Sequence, residues 1–294
     1  MDDALSSLLH DVRSRGALFD QSILCPPWSL RFAEEVPLTL LTMVNGEAWV
    51  LPGDAEPVHL RKHDEAIVLG PKPFAVADSP ETRPLAAHVE PPMCGADPTG
   101  STVLLKGTYQ VRGSVSQRVL TALPRVAVIP AGPAGCPTLD LIIDEIRLDK
   151  PGRQAILDRL LDLHLVASLR EWFDRPESGA PAWYRAHHDP PIGRALALIH
   201  ESPERPWTVA QLAAEAGMSR AAFAERFRRL VGQPPMAYLA EWRICQAADL
   251  LARTDATVDA IARRVGYSNA YALSVAFKRS LGIRPSEHRA ALAG

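Results

Sequence analysis

Two patterns of hydrophobic and polar positions follow one another along the chain. From about residue 25 to residue 130, short apolar runs such as PLTLLTMV, EAWVL and AIVLG are separated by turns that contain Gly, Pro or Asn. Short strands at this spacing are typical of an antiparallel barrel or sandwich. The pair Asn45-Gly46 predicts a hairpin within it, because both residues tolerate a positive φ.

At about Thr138 the apolar spacing changes from strand-like to helical. The helical stretch is broken once, at Pro151-Gly152, and its second piece is apolar on more than one face. Such a helix needs two packing partners. One is the sheet domain. The other is either a second subunit, giving a homodimer through residues 153–173, or further burial within the same chain. The stretch RPESGAP at residues 175–181 is typical of a linker.

The C-terminal third contains one pattern twice. The copies are TVAQLAAEAGMSRAAFAERFRRLVGQPP, from Thr208, and TVDAIARRVGYSNAYALSVAFKRSLGIRP, from Thr257. Each predicts a short helix, a turn with Gly and a longer helix, which is the helix-turn-helix pattern. We expect Thr208 and Thr257 to cap the first helices, and Ser219 and Ser268 to cap the second. The second copy is one residue longer. We expect the extra residue to lie at the start of its second helix and to shift Tyr271 relative to the core.

A single continuous helix is predicted between the two copies. At 1.5 Å per residue, Met236 to Ala252 would span about 25 Å. A rod of that length would hold two recognition helices about one turn of DNA apart, roughly 34 Å.

The net charge of −2 conceals an uneven distribution. Residues 191–294 contain 14 Lys and Arg against 9 Asp and Glu, whereas the rest of the chain contains 18 against 25. A basic third joined to an acidic part favours a nucleic-acid-binding module fused to a domain of another kind.

Several features favour a cytoplasmic protein. No apolar run is long enough to span a membrane. The opening MDDALSSLLHDVRSRG predicts a short amphipathic helix and lacks the basic and apolar regions of a signal peptide. The four cysteines are far apart, with the spacing of neither a disulfide framework nor a zinc site, which suits a reducing compartment.

Residues 191–294 resemble the DNA-binding domain of the AraC/XylS family of bacterial transcription regulators. Residues of both copies and of the helix between them carry the resemblance: Ile199, Trp207-Thr208, Leu212-Ala213, Gly217-Met218-Ser219, Phe223, Phe227, Gly232, Pro234, Tyr238-Leu239, Arg243-Ile244, Ala247, Leu250-Leu251, Ile261-Ala262, Gly266-Tyr267, Phe277-Lys278, Gly282, Pro285 and Arg289. More loosely, the N-terminal half is similar to the cupin-type sensor domain of one branch of this family.

The resemblance implies an α+β multidomain protein. Its parts would be a cupin-like antiparallel β-barrel at residues 1–135, a helical linker or dimerisation segment at 136–178, and an all-α domain with two helix-turn-helix units joined by a long helix at 190–294. Such a protein is a regulator and not an enzyme, without a cofactor. Its expected partners are promoter DNA, RNA polymerase, a small-molecule effector and a second copy of the chain.

The resemblance also implies which residues touch DNA. Candidates for base contacts are Arg220, Ala221, Ala224, Glu225, Asn269, Ala270, Tyr271, Ser274 and Val275. Family members commonly have Arg at the positions of Glu225 and Val275, and Arg reads guanine. Glu accepts from cytosine N4 and Val touches a thymine methyl, so we expect an unusual site preference. The alternative is recognition by backbone and shape, with Glu225 paired to Arg229.

A second set of polar and basic residues is expected to contact phosphates or to form a solvated face. Its members are Ser219, Arg226, Arg228, Arg229, Ser268, Lys278 and Arg279.

Three kinds of chemistry are conceivable in the N-terminal half. A cupin metal enzyme would use His59, His63 and Glu65. However, cupin enzymes often have His at a later position that Phe74 occupies here, so no metal is assigned. The alternative is that the histidines lie on the surface. An oxidant sensor would pair Cys25 with Cys94. Some relatives have the second cysteine in a Cys-Gly pair, but this chain has Lys106-Gly107 at that position, which leaves Cys94 as the nearby thiol. Cys136 and Cys245 are not expected to react. An effector pocket would be lined by aromatic residues that would equally well fill it: Trp28, Phe32, Trp49 and Phe74.

Overall fold

The computed structural model describes residues 12–14, 22–33, 36–82, 101–111, 113–132, 135–148 and 150–293. The N-terminal helix proposed above and Cys94 therefore lie outside the described residues. The chain forms two compact units. We call residues 12–111 and 123–179 the sheet unit, and residues 112–122 and 180–294 the helical unit.

The described part of the sheet unit has ten strands in two antiparallel sheets. The larger sheet has the order β1-β9-β4-β7-β10, with β2 also paired to β9, and the smaller has the order β3-β8-β5-β6. The strands are β1 (Val12–Ser14), β2 (Ser22–Leu24), β3 (Ser29–Phe32), β4 (Leu38–Asn45), β5 (Ala48–Leu51), β6 (Val58–Leu60), β7 (Glu65–Leu69), β8 (Phe74–Ala77), β9 (Thr102–Val111) and β10 (Val126–Ile129).

The core of this unit lies between the two sheets. Leu41 and Met43 of β4 share it with Val50 of β5 and Val76 of β8, all fully buried. Among the described strands no pairing joins one sheet to the other, so we describe two packed sheets, and closure into a barrel stays a prediction.

The turn at Asn45-Gly46 does not make the expected hairpin. Gly46 has the positive φ that the sequence indicated, +77°. However, β4 pairs with β7 and β9, whereas β5 pairs with β6 and β8. The turn therefore carries the chain from one sheet to the other. Turn residues fix the local backbone direction, but side-chain burial decides which strands pair.

Two helices complete the sheet unit, α2 (Pro137–Arg147) and α3 (Arg153–Phe173). They are separated at Pro151-Gly152 as predicted, with Gly152 at φ +90°. Helix α3 crosses the larger sheet and contacts both of its edge strands, β1 and β10. The Tyr109 hydroxyl donates to the carbonyl of Leu161 at 3.0 Å. A 3₁₀ turn (Pro176–Ser178) follows within the predicted linker.

The helical unit contains nine α-helices in its described residues. One of them, α1, is encoded between β9 and β10. They are α1 (Ser114–Leu120), α4 (Ala182–His187), α5 (Pro190–Glu201), α6 (Val209–Glu215), α7 (Arg220–Val231), α8 (Pro235–Arg253), α9 (Val258–Arg264), α10 (Ala270–Leu281) and α11 (Pro285–Ala293).

The repeated sequence folds twice into a short helix, a turn and a longer helix. We call α6–α7 the first repeat and α9–α10 the second repeat. Thr208 and Thr257 cap α6 and α9, and Ser219 caps α7, as predicted. The expected cap Ser268 is wrong, because Asn269 caps α10 and accepts from the N–H of Ala272 at 2.9 Å.

Each repeat has its own apolar core, and α8 contributes to both. Tyr238, Leu239 and Trp242 pack in the core of the first repeat. Ile244 and Leu251 pack in the core of the second. The predicted connecting helix is confirmed, and its 19 residues span about 28 Å.

Candidate nucleic-acid interface

The second helices of the two repeats, α7 and α10, have the same register. Phe223 lies four residues after the cap Ser219, and Leu273 lies four residues after the cap Asn269; both are fully buried. The extra residue of the second repeat is therefore taken up in the turn before α10 begins. The expected shift of Tyr271 relative to the core is wrong, since Tyr271 occupies the position that Ala221 occupies in α7.

The outward rows of α7 and α10 differ in chemistry. Arg220, Ala221 and Glu225 are exposed on α7. At the matching positions of α10, Tyr271 is 79% exposed and Val275 is 51% exposed. The row on α10 therefore presents two large exposed side chains without charge, four residues apart, whereas the row on α7 carries one charge of each sign.

The remaining base-contact candidates are half-buried or already hydrogen-bonded within the protein. Ala224 and Ser274 are half-buried, and the Ser274 hydroxyl donates to the carbonyl of Ala270 at 2.7 Å. Ala270 is half-buried at the start of α10, and its N–H donates to the carboxylate of Asp259 at 3.2 Å. The side-chain oxygen of Asn269 is engaged in the cap.

Four of the expected phosphate contacts are exposed cations. Arg228 and Arg229 lie in the last turn of α7, and Lys278 and Arg279 lie in the last turn of α10. Within the part of the chain that the structure describes, no ion pair joins Arg229 to Glu225. The two candidate hydroxyls, on Ser219 and Ser268, are also exposed.

Arg226 has an internal partner instead. Its Nη2 lies 2.6 Å and its Nε 3.0 Å from Oδ2 of Asp189, the N-cap residue of α5. The two-pronged contact ties α7 to α5, so the structure places Arg226 in the scaffold of the first repeat.

Arg243 of α8 links the two repeats. Its guanidinium donates to the carbonyls of Pro203 at 2.7 Å and Arg205 at 2.8 Å, in the segment that leads into the first repeat. It also lies over the ring of Tyr267, beside Gly266 in the turn of the second repeat. These contacts connect the segment before the first repeat to the turn of the second repeat. The resemblance pointed to Arg243 as a family position but gave it no role.

The aromatic residues of the proposed effector pocket pack against neighbours. Trp28 is fully buried and Phe74 is 8% exposed, both in the core between the sheets. Phe32 stacks on Phe74 at 4.8 Å, and Trp49 stacks on His59 at 4.6 Å. This is the filled arrangement that the sequence left open. A separate cavity of about 300 Å³ is lined by residues of β4, β9 and α2, among them Val44, Val103, Leu105, Ile143 and Ile146.

Of the three residues proposed for a metal enzyme, His63 and Glu65 line one cavity, whereas His59 lies on the smaller sheet. His59 lies 3.1 Å from Glu47 on the smaller sheet, and His63 lies in a turn at φ +69°. Glu65 lies on the face of the larger sheet that α3 covers, where it contacts Ser168.

One cysteine of the oxidant-sensor alternative is engaged in a disulfide. Cys25 is disulfide-bonded, although the spacing of the cysteines gave no sign of a disulfide framework. Cys136 and Cys245 are free thiols, and burial raises the pKa of each. Cys245 packs against the core of the first repeat, as the sequence indicated.

The fold and the paired repeats define a DNA-binding transcription regulator with a cupin domain. Residues 3–174 match the cupin family, and residues 212–291 match the family described as a helix-turn-helix domain. The chain belongs to the AraC-like family of transcription regulators. It is 31% identical over 297 residues to a putative AraC-like transcription regulator of Streptomyces lividans, with 98% of each chain covered.

Two further similarities cover less of the chain. The RCS-specific HTH-type transcriptional activator RclR of Escherichia coli is 29% identical over 195 residues, 64% of this chain and 68% of that protein. The crystal structure of the DNA-binding domain of AdpA, in complex with a target DNA, is 40% identical and covers 34% of this chain and 91% of its own, with a TM-score of 0.34. Among the described residues, no helix has both the length and the apolar character needed to cross a membrane.

Proposed function

We propose that the two repeats are two helix-turn-helix units that read successive major grooves on one face of promoter DNA. The observation that carries this is the pairing of α7 and α10 in one register on a common rod, α8. The rod spans about 28 Å, close to one turn of DNA at roughly 34 Å. The contacts of Arg243 with both repeats support an arrangement in which α7 and α10 keep their relative position on DNA.

Base reading is proposed for the exposed outward row of each second helix. In α7, Arg220 can read guanine and Glu225 can accept from cytosine N4. In α10, Tyr271 and Val275 favour thymine-rich sequence through apolar contact with methyl groups. The remaining candidates are proposed to shape the edges of these surfaces: Ala221, Ala224, Asn269, Ala270 and Ser274.

Phosphate contacts are proposed for Arg228, Arg229, Lys278 and Arg279, helped by the hydroxyls of Ser219 and Ser268. All four cations are exposed at the ends of the helices that carry the reading rows. Contacts of this kind fix the register on the duplex and make affinity depend on salt.

Selection of bound sequences from a random DNA library tests the reading rows. We expect Val275→Arg to bring in a preference for guanine, and Glu225→Gln to replace cytosine by adenine at one position. Other positions of the selected site should not change. A selected sequence identical to that of the unchanged protein, with only weaker binding, would contradict base reading by these residues.

The salt dependence of binding tests the phosphate contacts separately. Arg228→Gln/Arg229→Gln and Lys278→Gln/Arg279→Gln should each lower affinity on every sequence and reduce the salt slope by about 2. The matched control is Arg147→Gln/Arg159→Gln, which removes two exposed cations from the sheet unit. Equal slopes in all variants would count against the assignment.

The sheet unit is proposed to tune the activity of the DNA-binding unit in the cytoplasm. A homodimer, RNA polymerase and a small-molecule effector are the partners proposed for it. The exposed Ile156 and Leu163, seven apart on α3, support the homodimer. The cavity of about 300 Å³ bordered by β4, β9 and α2 supports the effector.

A second candidate function is DNA binding regulated by an oxidant. The disulfide at Cys25 is the specific observation that supports it. In a reducing cytoplasm a disulfide is usually transient and redox-sensing. We propose Cys94 as its partner.

Mass spectrometry of peptides under non-reducing conditions tests this version. We expect a Cys25–Cys94 crosslink after mild oxidant that thiol reductant removes, and DNA affinity that changes with it. Cys25→Ser should abolish both responses, while Cys245→Ser should leave them intact. DNA affinity that is the same in both redox states would exclude a sensing role.

A further inference from the structure

A buried polar cluster lies between the larger sheet and α3, within the sheet unit. Its centre is His164 of α3, 2% exposed, beside Glu65 of β7, 6% exposed. His164 Nε2 lies 3.6 Å from Glu65 Oε1. Cys136, immediately before α2, places its Sγ 3.7 Å from His164 Nδ1. One ligand atom from each of the three residues lies within 4.8 Å of the other two.

We propose that Glu65, Cys136 and His164 form a binding site for a divalent transition-metal ion of the zinc class. Thiolate, imidazole and carboxylate are the donors that zinc takes from proteins, and three protein ligands leave a fourth position open. In a tetrahedral site with bonds of about 2.0–2.3 Å, ligand atoms stand roughly 3.3–3.7 Å apart. Ligand atoms up to 4.8 Å apart must therefore close by as much as about 1.5 Å around whichever ring nitrogen of His164 takes the ion.

Hydroxyl groups surround the three ligands and would orient them. Thr138 Oγ1 lies 2.8 Å from His164 Nδ1, and Thr42 Oγ1 lies 3.2 Å from His164 Nε2. Whichever ring nitrogen takes the ion, the other keeps a hydrogen-bond partner, as metal-bound histidines usually do. The Ser168 hydroxyl lies 2.5 Å from Glu65 Oε2 and fixes the carboxylate.

The electrostatics of the cluster favour a cation. Glu65 and Cys136 can each supply an anionic ligand atom, and a buried site disfavours anions that no cation compensates. A divalent ion held between them would neutralise both.

A small cavity gives access to the site. It has a volume of about 80 Å³, and both Glu65 and Cys136 line it. His63, Asp140 and Glu171 line the same cavity and give it a polar wall. The space is sufficient for a water molecule or a small ligand at the fourth position.

The test is a Co²⁺ titration of the purified full-length chain after treatment with a chelator. We expect about one equivalent of Co²⁺ to bind, with a near-ultraviolet absorption band from thiolate to cobalt that Zn²⁺ abolishes. Cys136→Ser should remove the band, and His164→Gln should weaken binding more than about tenfold. Cys245→Ser is the matched control, because among the described residues Cys245 is the second free thiol. It should change neither the band nor the affinity.

Two outcomes would overturn the proposal: no Co²⁺ binding to the unchanged chain, or a band that survives Cys136→Ser. Cys136→His keeps three protein ligands, so it should bind Zn²⁺ while lacking the band. That variant separates the loss of a ligand from the loss of the fold, which circular dichroism checks. All these readouts are obtained without DNA, so failure here leaves the proposed reading of DNA intact, and failure of DNA reading leaves the metal site intact.

Discussion

At the scale of single residues, Gly217 and Gly266 hold equivalent turns in different surroundings. Both have a positive φ, +66° and +85°. A Cβ added to Gly217 would meet no atom within 4 Å. A Cβ added to Gly266 would stand 2.7 Å from Nη2 of Arg243 and 2.8 Å from Cα of Glu204. The second glycine therefore serves both the turn and the contact between the repeats.

This difference has a measurable consequence for stability. Gly217→Ala should lower the free energy of unfolding of the helical unit by about 1 kcal/mol, from backbone strain alone. Gly266→Ala should cost at least about 1 kcal/mol more, because the Arg243 guanidinium and the backbone at Glu204 must move. Urea denaturation of the two variants measures both values. Equal losses would show that Arg243 adjusts freely and does not fix the repeats.

Residue-level prediction from the sequence succeeded where chemistry was local. Thr208, Ser219 and Thr257 were recognised as caps because the side chain and its partner N–H lie within three residues. For α10 the sequence predicts Ser268 as the cap, whereas Asn269 is the cap in the structure. Ser and Asn cap helices equally well, so two adjacent candidates cannot be told apart from the sequence. The roles of Arg226 and Arg243 depend on partners 37 to 40 residues away, which spacing does not show.

At the scale of elements, the tie between α5 and α7 depends on one carboxylate. Asp189 caps α5 by accepting from the N–H of Ile192 at 3.3 Å, and it also holds Arg226. The same side chain thus caps the start of α5 and orients α7, the second helix of the first repeat.

The two roles of Asp189 can be separated by substitution. Asp189→Asn keeps a capping oxygen and loses the charge, and we expect a loss of about 0.5–1 kcal/mol in the free energy of unfolding. Asp189→Ala loses both roles and should cost about 1 kcal/mol more. Neither change should alter the salt slope of DNA binding. A slope reduced by about 1 in Arg226→Gln would show that Arg226 reaches a phosphate despite Asp189.

Element-level prediction was best for the helices. The repeats, the rod α8 and the break at Pro151-Gly152 follow from apolar periodicity and from Gly and Pro. The pairing of the strands could not be predicted from the sequence, because β4 is buried on both faces and its apolar run fits either sheet. The cluster of Glu65, Cys136 and His164 was missed because its members come from three distant elements and share no spacing.

At the scale of the whole molecule, the exposed apolar side chains of α3 bear on assembly. Ile156 is 47% exposed and Leu163 is 52% exposed, whereas Leu157, Leu161 and Leu165 face the sheet and are buried. In the described part of the chain, α3 thus has one buried apolar face and apolar side chains that stay exposed elsewhere on the helix.

We expect Ile156→Glu/Leu163→Glu to convert a dimer to a monomer, because the charges would be buried without partners. Light scattering over a range of concentrations measures the change. Leu281→Glu, at an exposed leucine of α10, is the control and should leave the mass unaltered. A mass that is the same in the double variant would place the dimer contact elsewhere or show a monomer.

Helix α1 has a consequence for how such a regulator can be recombined. It lies between two strands of the sheet unit in sequence, yet it packs on α8: the N–H of Ser114 donates to Asp249 at 2.6 Å, and Arg118 pairs with Glu241 at 3.3 Å. The gene segment for the DNA-binding half is therefore discontinuous. A chimera joined at the linker near residue 179 would inherit α8 without this cover, leaving the buried carboxylate of Asp249 without the Ser114 N–H. The helical unit of this chain can therefore be grafted intact only if the graft carries residues 113–121 as well.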